Sequence, residues 1–280
     1  MKKSISLILV LLMVFSLVGC STNNSNNESN GQAENVTPEV TVKPEEPKQP
    51  EGTILLAAAA SLKNCMDDEL IPLFTEQNPN VKVNATYDSS GKLQTQIEEG
   101  AEVDVFMSAA MKQMNALNEK GLIAENSMVE LLENKIVLIV PKGSDKRISA
   151  FEDIVRAEAI AVGDPESVPA GQYAKEALEN LKLWDQVLPL SSLGTNVTEV
   201  LNWVAEGSAD AGIVYATDAA SNAGVEVVAE APEGSVSKVI YPVGIVKATA
   251  NEDAAKLFTE FLQSDEALKI FESYGFTANK

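Results

Sequence analysis

The chain has 280 residues, 22% of them charged, with a formal net charge of −20 and no histidine. The missing imidazoles exclude histidine triads, histidine metal sites and a histidine pH switch. The acidic balance excludes a nucleic-acid surface and supplies no general field that would draw in an anion, so an anion site must be built locally from dipoles and hydrogen-bond donors.

At the N-terminus, Lys2 and Lys3 precede the apolar run Ile5 to Val18, which is too short to span a bilayer comfortably and is flanked as a signal peptide is. Leu17-Val18-Gly19-Cys20 reads as a lipobox. Residues 1–20 are therefore expected to be a lipoprotein signal peptide with Cys20 as the lipidated residue. Residues 21–51, rich in Asn, Ser, Glu and Pro, cannot bury enough apolar surface to offset their ordering entropy and are expected to be a disordered tether. Two acyl chains on Cys20 would hold the protein firmly at a membrane, where one would not.

From Thr53 onward, short apolar runs alternate with amphipathic ones. Expected strands are Ile54–Ala60, Val81–Tyr87, Val103–Met107, Lys135–Val140, Ala159–Val162, Val187–Leu190, Gly212–Tyr215, Val225–Ala229 and Lys238–Val246. Expected helices are Leu62–Gln77, Lys92–Glu99, Met111–Lys120, Ala150–Arg156, Gln172–Leu181, Thr198–Glu206, Asp253–Gln263 and Asp265–Ser273, with Pro72 kinking or splitting the first. This alternation is the pattern of a mainly parallel α/β sheet covered on both faces. Pro141-Lys142-Gly143 marks passage into a second lobe, and the run Lys238–Val246 marks the return. The lobes are expected at residues 52–136 with 245–280, and at 137–244, with a cleft between them.

Ligands of open α/β sheets bind beyond the carboxyl ends of the strands. There the sequence places Ser61, then Ser89-Ser90-Gly91, then Gly163-Asp164-Pro165 with Val168-Pro169-Ala170-Gly171, then Gly194-Thr195-Asn196-Val197, and Tyr215. Most of these breaks put small or hydroxyl residues at a helix start, where free N–H groups and the positive dipole end face outward. Several such ends on one cleft would hold a dianion without a charged side chain. Taken singly, each Ser, Thr or Asn is better read as an N-cap, Tyr215 as equally a buried structural tyrosine, and the glycines and Pro169 as turn chemistry. Asp164 and Glu166 read as solvated or capping carboxylates, Cys65 as a small core residue, and Trp184 and Trp203 as packing residues.

Ala58-Ala59-Ala60-Ser61-Leu62, Asp88-Ser89-Ser90-Gly91, Gly163-Asp164-Pro165 with Val168-Pro169-Ala170-Gly171-Gln172-Tyr173-Ala174, Gly212-Ile213-Val214-Tyr215 and Tyr274-Gly275-Phe276 together resemble the molybdate-binding proteins of ABC uptake systems, from about Thr53 to Thr277. The resemblance implies a two-lobed type II periplasmic-binding-protein fold. It also implies a non-enzymatic role: capture of molybdate or tungstate outside the cytoplasm for an ABC permease and its ATPase. The family's oxyanion ligands fall on Ser61 and Ser90 (hydroxyl and N–H), Ala170 and Val197 (N–H) and Tyr215 (hydroxyl). No metal-ion ligand and no cofactor are implied, and the protein is expected to act as a monomer whose only membrane contact is its lipid. Asp88 departs from the family's small neutral residue and is expected to point to solvent.

Molybdate and sulfate are fully deprotonated dianions at neutral pH and need only donors, whereas phosphate keeps a proton and needs an acceptor. A donor-only site therefore excludes phosphate at a cost of about 1–3 kcal/mol. Affinity is expected to change little between about pH 6 and 8, because no proposed ligand titrates there. The alternatives are a sulfate binder, or an extracytoplasmic enzyme or sensor on the same scaffold.

Overall fold

The computed structural model describes residues 50 to 279; the expected signal peptide, Cys20 and nearly all of the expected tether lie outside them. The first half of the fold contains β1 (Gly52–Ala59), a 3₁₀ turn (Ala60–Leu62), α1 (Lys63–Cys65), a π-helical turn (Met66–Leu70), α2 (Ile71–Gln77), β2 (Val81–Asp88), α3 (Ser90–Glu98), β3 (Val105–Met107), α4 (Met111–Glu119), β4 (Val129–Asn134) and β5 (Ile136–Pro141). A 3₁₀ helix (Phe151–Arg156) leads to β6 (Ile160–Gly163), α5 (Pro169–Asn180), α6 (Trp184–Val187), a 3₁₀ turn (Leu188–Leu190), β7 (Ser191–Gly194), α7 (Val197–Ala205), β8 (Ala211–Tyr215), α8 (Ala216–Ala220) and β9 (Val225–Glu230). The chain ends with β10 (Val239–Ile245), α9 (Glu252–Leu262), α10 (Asp265–Ser273) and β11 (Thr277–Ala278).

Two sheets organise these elements, one ordered β11-β4-β10-β3-β1-β2 and the other β7-β6-β8-β5-β9. β1 is parallel to β2 and β3, and β6 is parallel to β7 and β8. β10 runs antiparallel to both β3 and β4, and β5 to both β8 and β9. The mainly parallel orientation thus carries one reversed strand in the interior of each sheet, each the first after a passage between sheets, and β11 is reversed at the edge of the first.

The second passage lies earlier than expected. β10 pairs within the six-stranded sheet, so residues 239–244 belong to the first lobe, not the second. The apolar run is a fully buried strand, and the crossing is made before it by the turn at Pro232, whose carbonyl accepts the Ser235 N–H at 2.9 Å. Val187–Leu190, expected as a strand, is helical. Pro189 fits the start of its 3₁₀ turn and cannot donate to a ladder, and strand β7 begins only at Ser191.

Where expectation and structure agree, the residue pattern explains it. β1 lies between two parallel neighbours and reads as a nearly continuous apolar run. α9 buries Ala254, Ala255, Phe258, Phe261 and Leu262, a stripe at helical spacing. The first helix is split as Pro72 demands: a π-helical turn precedes α2, and Pro72 sits in the first turn of α2, where its missing N–H is harmless.

Register positions the strand ends. Ala59 aligns with Asp88, and Ala58 with Met107, so Ser61, Ser90 and Ala109 emerge together at one edge of the first sheet. In the second sheet Gly163 aligns with Gly194, and β8 lies beside β6, so Ala170, Val197 and Tyr215 emerge together.

Candidate functional site

Those two edges face one another. A small cavity between the sheets is lined by Ser61, Ser90, Ala170, Val197 and Tyr215, with Ala109, Asp88 and Ser89 among the other lining residues. All five residues singled out from the sequence therefore share one cavity, and Ser90, Ala170, Val197 and Tyr215 are buried there.

Capping is done by their neighbours, which leaves these residues free for the cavity. Ser89 is the N-cap of α3 and accepts the Lys92 N–H, so Ser90 stands at the first helical position. Asn196 caps α7 by accepting the Glu199 N–H at 3.0 Å, and Val197 begins the helix. Val168 precedes α5 and Pro169 takes the first position, so Ala170 offers an N–H that the helix itself does not use. Three helix starts thus direct N–H groups and positive dipole ends at one point.

Each hydroxyl has a hydrogen-bond partner, and only that of Tyr215 lies across the cleft. Tyr215 donates to the Ala109 carbonyl at 3.2 Å, tying the second sheet to the first. Ser90 Oγ accepts the Ala109 N–H at 3.0 Å. Ser61 Oγ lies 2.9 Å from the Tyr241 hydroxyl. Sequence reasoning missed Ala109 and Tyr241. Ala109 follows a strand end, so the rule that found the others could have found it. Tyr241 sits inside β10, where Pro242 marks a shift in register; such bulges re-aim side chains.

Asp88 does not simply point to solvent. It lines the cavity, half-buried, with one carboxylate oxygen accepting the Ser89 N–H at 2.7 Å and lying 3.2 Å from the Lys92 ammonium. Its charge is locally balanced by that lysine. Asp164 closes a turn, as expected, accepting the Glu166 N–H at 3.0 Å. Cys65 is buried, its thiol donating to the Leu62 carbonyl, and burial pushes its pKa up. Trp184 and Trp203 pack partly buried against the core.

A titratable group outside the five proposed ligands lies behind the site. Asp218, in the first turn of α8, is buried beside Tyr215 and Tyr241 in a second cavity that Ser61 also lines. Loss of hydration raises its carboxyl to about 7, partly offset by the N–H groups of Tyr215 and Asp218. Its Oδ2 has no hydrogen-bond partner among the described residues. Burial also holds the Tyr215 hydroxyl well above its usual range, so it stays a donor.

Two α/β lobes with strand ends and helix starts converging on a cavity lined by no basic side chain follow the plan of a solute-binding protein. The chain belongs to the bacterial extracellular solute-binding proteins, whose family model matches residues 54–277. A Bacillus subtilis protein named, provisionally, as a substrate-binding lipoprotein of an ABC transporter is 40% identical over 279 residues, spanning 99% of this chain and 100% of that one. The molybdate-binding protein of Escherichia coli K12 is 40% identical over 233 residues, 81% of this chain and 90% of the relative. The periplasmic molybdate-binding protein of Azotobacter vinelandii shares the fold with a TM-score of 0.71 at 22% identity, over 81% of this chain and 100% of that one.

Proposed function

We propose that this protein captures molybdate, and tungstate with it, outside the cytoplasm and delivers it to an ABC permease driven by its ATPase. It binds without turnover, needs no cofactor, and works as a monomer tethered through a lipid on Cys20. The observation that carries the reading is the convergence of Ser61, Ser90, Ala170, Val197 and Tyr215 on one small cavity with no basic side chain among them. Such a site offers donors to every oxygen of a deprotonated tetrahedral dianion. The names of the 40%-identical relatives point the same way.

Calorimetry with molybdate, tungstate, sulfate and phosphate tests it. Tight binding of the first two is expected, with weaker binding of sulfate and almost none of phosphate. Phosphate binding as tight as molybdate would sink the donor-only reading. The anchor is read from membrane fractions: Cys20→Ala should release the protein or block its processing, and a correctly cleaved variant that stays membrane-bound would refute lipidation.

A further inference from the structure

Behind Ser61 lies a chain of hydrogen bonds with a direction. Asn134, the last residue of β4, accepts the Lys135 N–H on Oδ1 at 2.8 Å, which fixes its amide with Nδ2 turned inward. That Nδ2 donates to Thr217 Oγ1 at 2.9 Å and to the Tyr241 oxygen at 3.3 Å. An amide nitrogen only donates, and a phenol has a single hydrogen. Ser61 Oγ, at 2.9 Å, is the nearest group that can accept that hydrogen; the Asn134 amide nitrogen cannot, and the Tyr215 hydroxyl is a weaker partner. Ser61 then keeps its own hydrogen for the cavity. Were the order reversed, Ser61 would spend that hydrogen on Tyr241 and show the cavity only lone pairs. The other serine is treated alike: the Ala109 N–H occupies Ser90 Oγ as acceptor and leaves the hydroxyl hydrogen free. Tyr241 is fully buried, and loss of hydration keeps its phenol from ionising, so the relay is not lost at neutral pH.

We propose that Asn134 and Tyr241 are positioning residues that order the hydroxyl chain so that Ser61 meets the ligand as a donor. This rests on the oxyanion site above and extends it one layer outward, to residues that touch no ligand. The relay is what commits a hydroxyl, which could equally accept, to the donor-only chemistry of the cavity.

The test inverts the relay and then cuts it. In Asn134→Asp a carboxylate replaces the donor, so Tyr241 turns its hydrogen toward that carboxylate and takes the Ser61 hydrogen in exchange. Molybdate affinity at pH 8 should fall roughly a hundredfold, the scale of a strong hydrogen bond lost and a charge added. Tyr241→Phe alone should cost roughly three- to tenfold, because Ser61 keeps its hydrogen but loses its alignment. The double variant carries the same added charge but has no phenol to pass the inversion on, so it should bind more tightly than Asn134→Asp alone. A double variant no better than Asn134→Asp, with apo melting intact in all three, overturns the relay. Neutron diffraction of the ligand-free wild type judges it without any ligand: the deuterium between Tyr241 and Ser61 should belong to Tyr241, and finding it on Ser61 refutes the proposal. If wild type fails to bind molybdate, the oxyanion reading falls, while the neutron map still decides the relay.

Discussion

Ser61 and Tyr215 offer side-chain donors, whereas Ala170 offers only its backbone, so substitution can separate them. Ser61→Ala keeps the N–H and the helical turn but loses the hydroxyl. It should weaken molybdate binding by about 1.5–3 kcal/mol, the range for a hydrogen bond to a charged group. Tyr215→Phe should cost no more in affinity, because the one phenolic hydrogen must leave the Ala109 carbonyl to reach the anion, but it should lower apo melting by removing that bond between the sheets. Ala170→Gly should matter little, while Ala170→Pro deletes the donor and should be severe. Melting with and without molybdate is the measurement: a ligand contact lowers mainly the anion-dependent part, a structural residue both. Loss of apo stability with intact affinity would make these residues structural.

Asp218 sets a second expectation. Its folded-state pKa stands well above the ordinary 3.8, so the folded protein holds a proton that the unfolded chain releases. The group's contribution is therefore fullest below about pH 4 and is lost as pH rises through 7, up to about 4 kcal/mol for a shift of this size. Asp218→Asn should raise the melting temperature more at pH 8 than at pH 5. Because a buried carboxylate beside Tyr215 opposes a dianion, wild-type molybdate affinity should fall between pH 6 and 8 and that of the variant should stay level. A level wild-type profile would show Asp218 to be electrically remote from the ligand. Asp218 was illegible in the sequence because an acidic residue in a helix's first turn is ordinarily exposed; only the packing of α8 against β5, β8, β9 and α7 reveals its burial.

At the level of elements, the helix starts were readable because capping is local chemistry. Ser89, Asn196 and the Val168-Pro169 pair announce their helices without tertiary context. β4 was not readable: Val129-Glu130-Leu131-Leu132-Glu133-Asn134 has no clean alternation, and its strand character comes from pairing with β10 and β11. Gly163 and Gly171, read from the sequence as turn chemistry, do another job. Neither has a positive φ. A Cβ on Gly171 would lie 2.0 Å from the Gly163 carbonyl oxygen, so the pair lets α5 sit close against the end of β6. Gly171→Ala should push α5 off the strand, lower stability by about 1–3 kcal/mol as overpacking does, and weaken anion binding by displacing the Ala170 N–H. Unchanged melting and unchanged calorimetry would mean the helix shifts freely.

On the scale of the whole molecule, two lobes and a cleft were legible because the strand–helix alternation and two crossings are large features. The facing of the lobes was not, since it rests on side chains with no local signature. Gln113 on α4 and Gln172 on α5 meet across the cleft, Nε2 of the first donating to Oε1 of the second at 3.1 Å. Gln113 Oε1 and Gln172 Nε2 are buried without hydrogen-bond partners among the described residues. Separating the lobes would return both amides to water, so these two atoms oppose closure, at about 1–3 kcal/mol for each unsatisfied group. Replacing one glutamine by leucine should not help: the bond is lost and both polar atoms of the survivor are stranded. Replacing both leaves no orphan. Gln113→Leu and Gln172→Leu alone should therefore bind molybdate no better than wild type, and the double variant more tightly than either, a coupling read from a calorimetric double-mutant cycle. Strictly additive effects would mean that the two amides do not meet when the protein closes on its ligand.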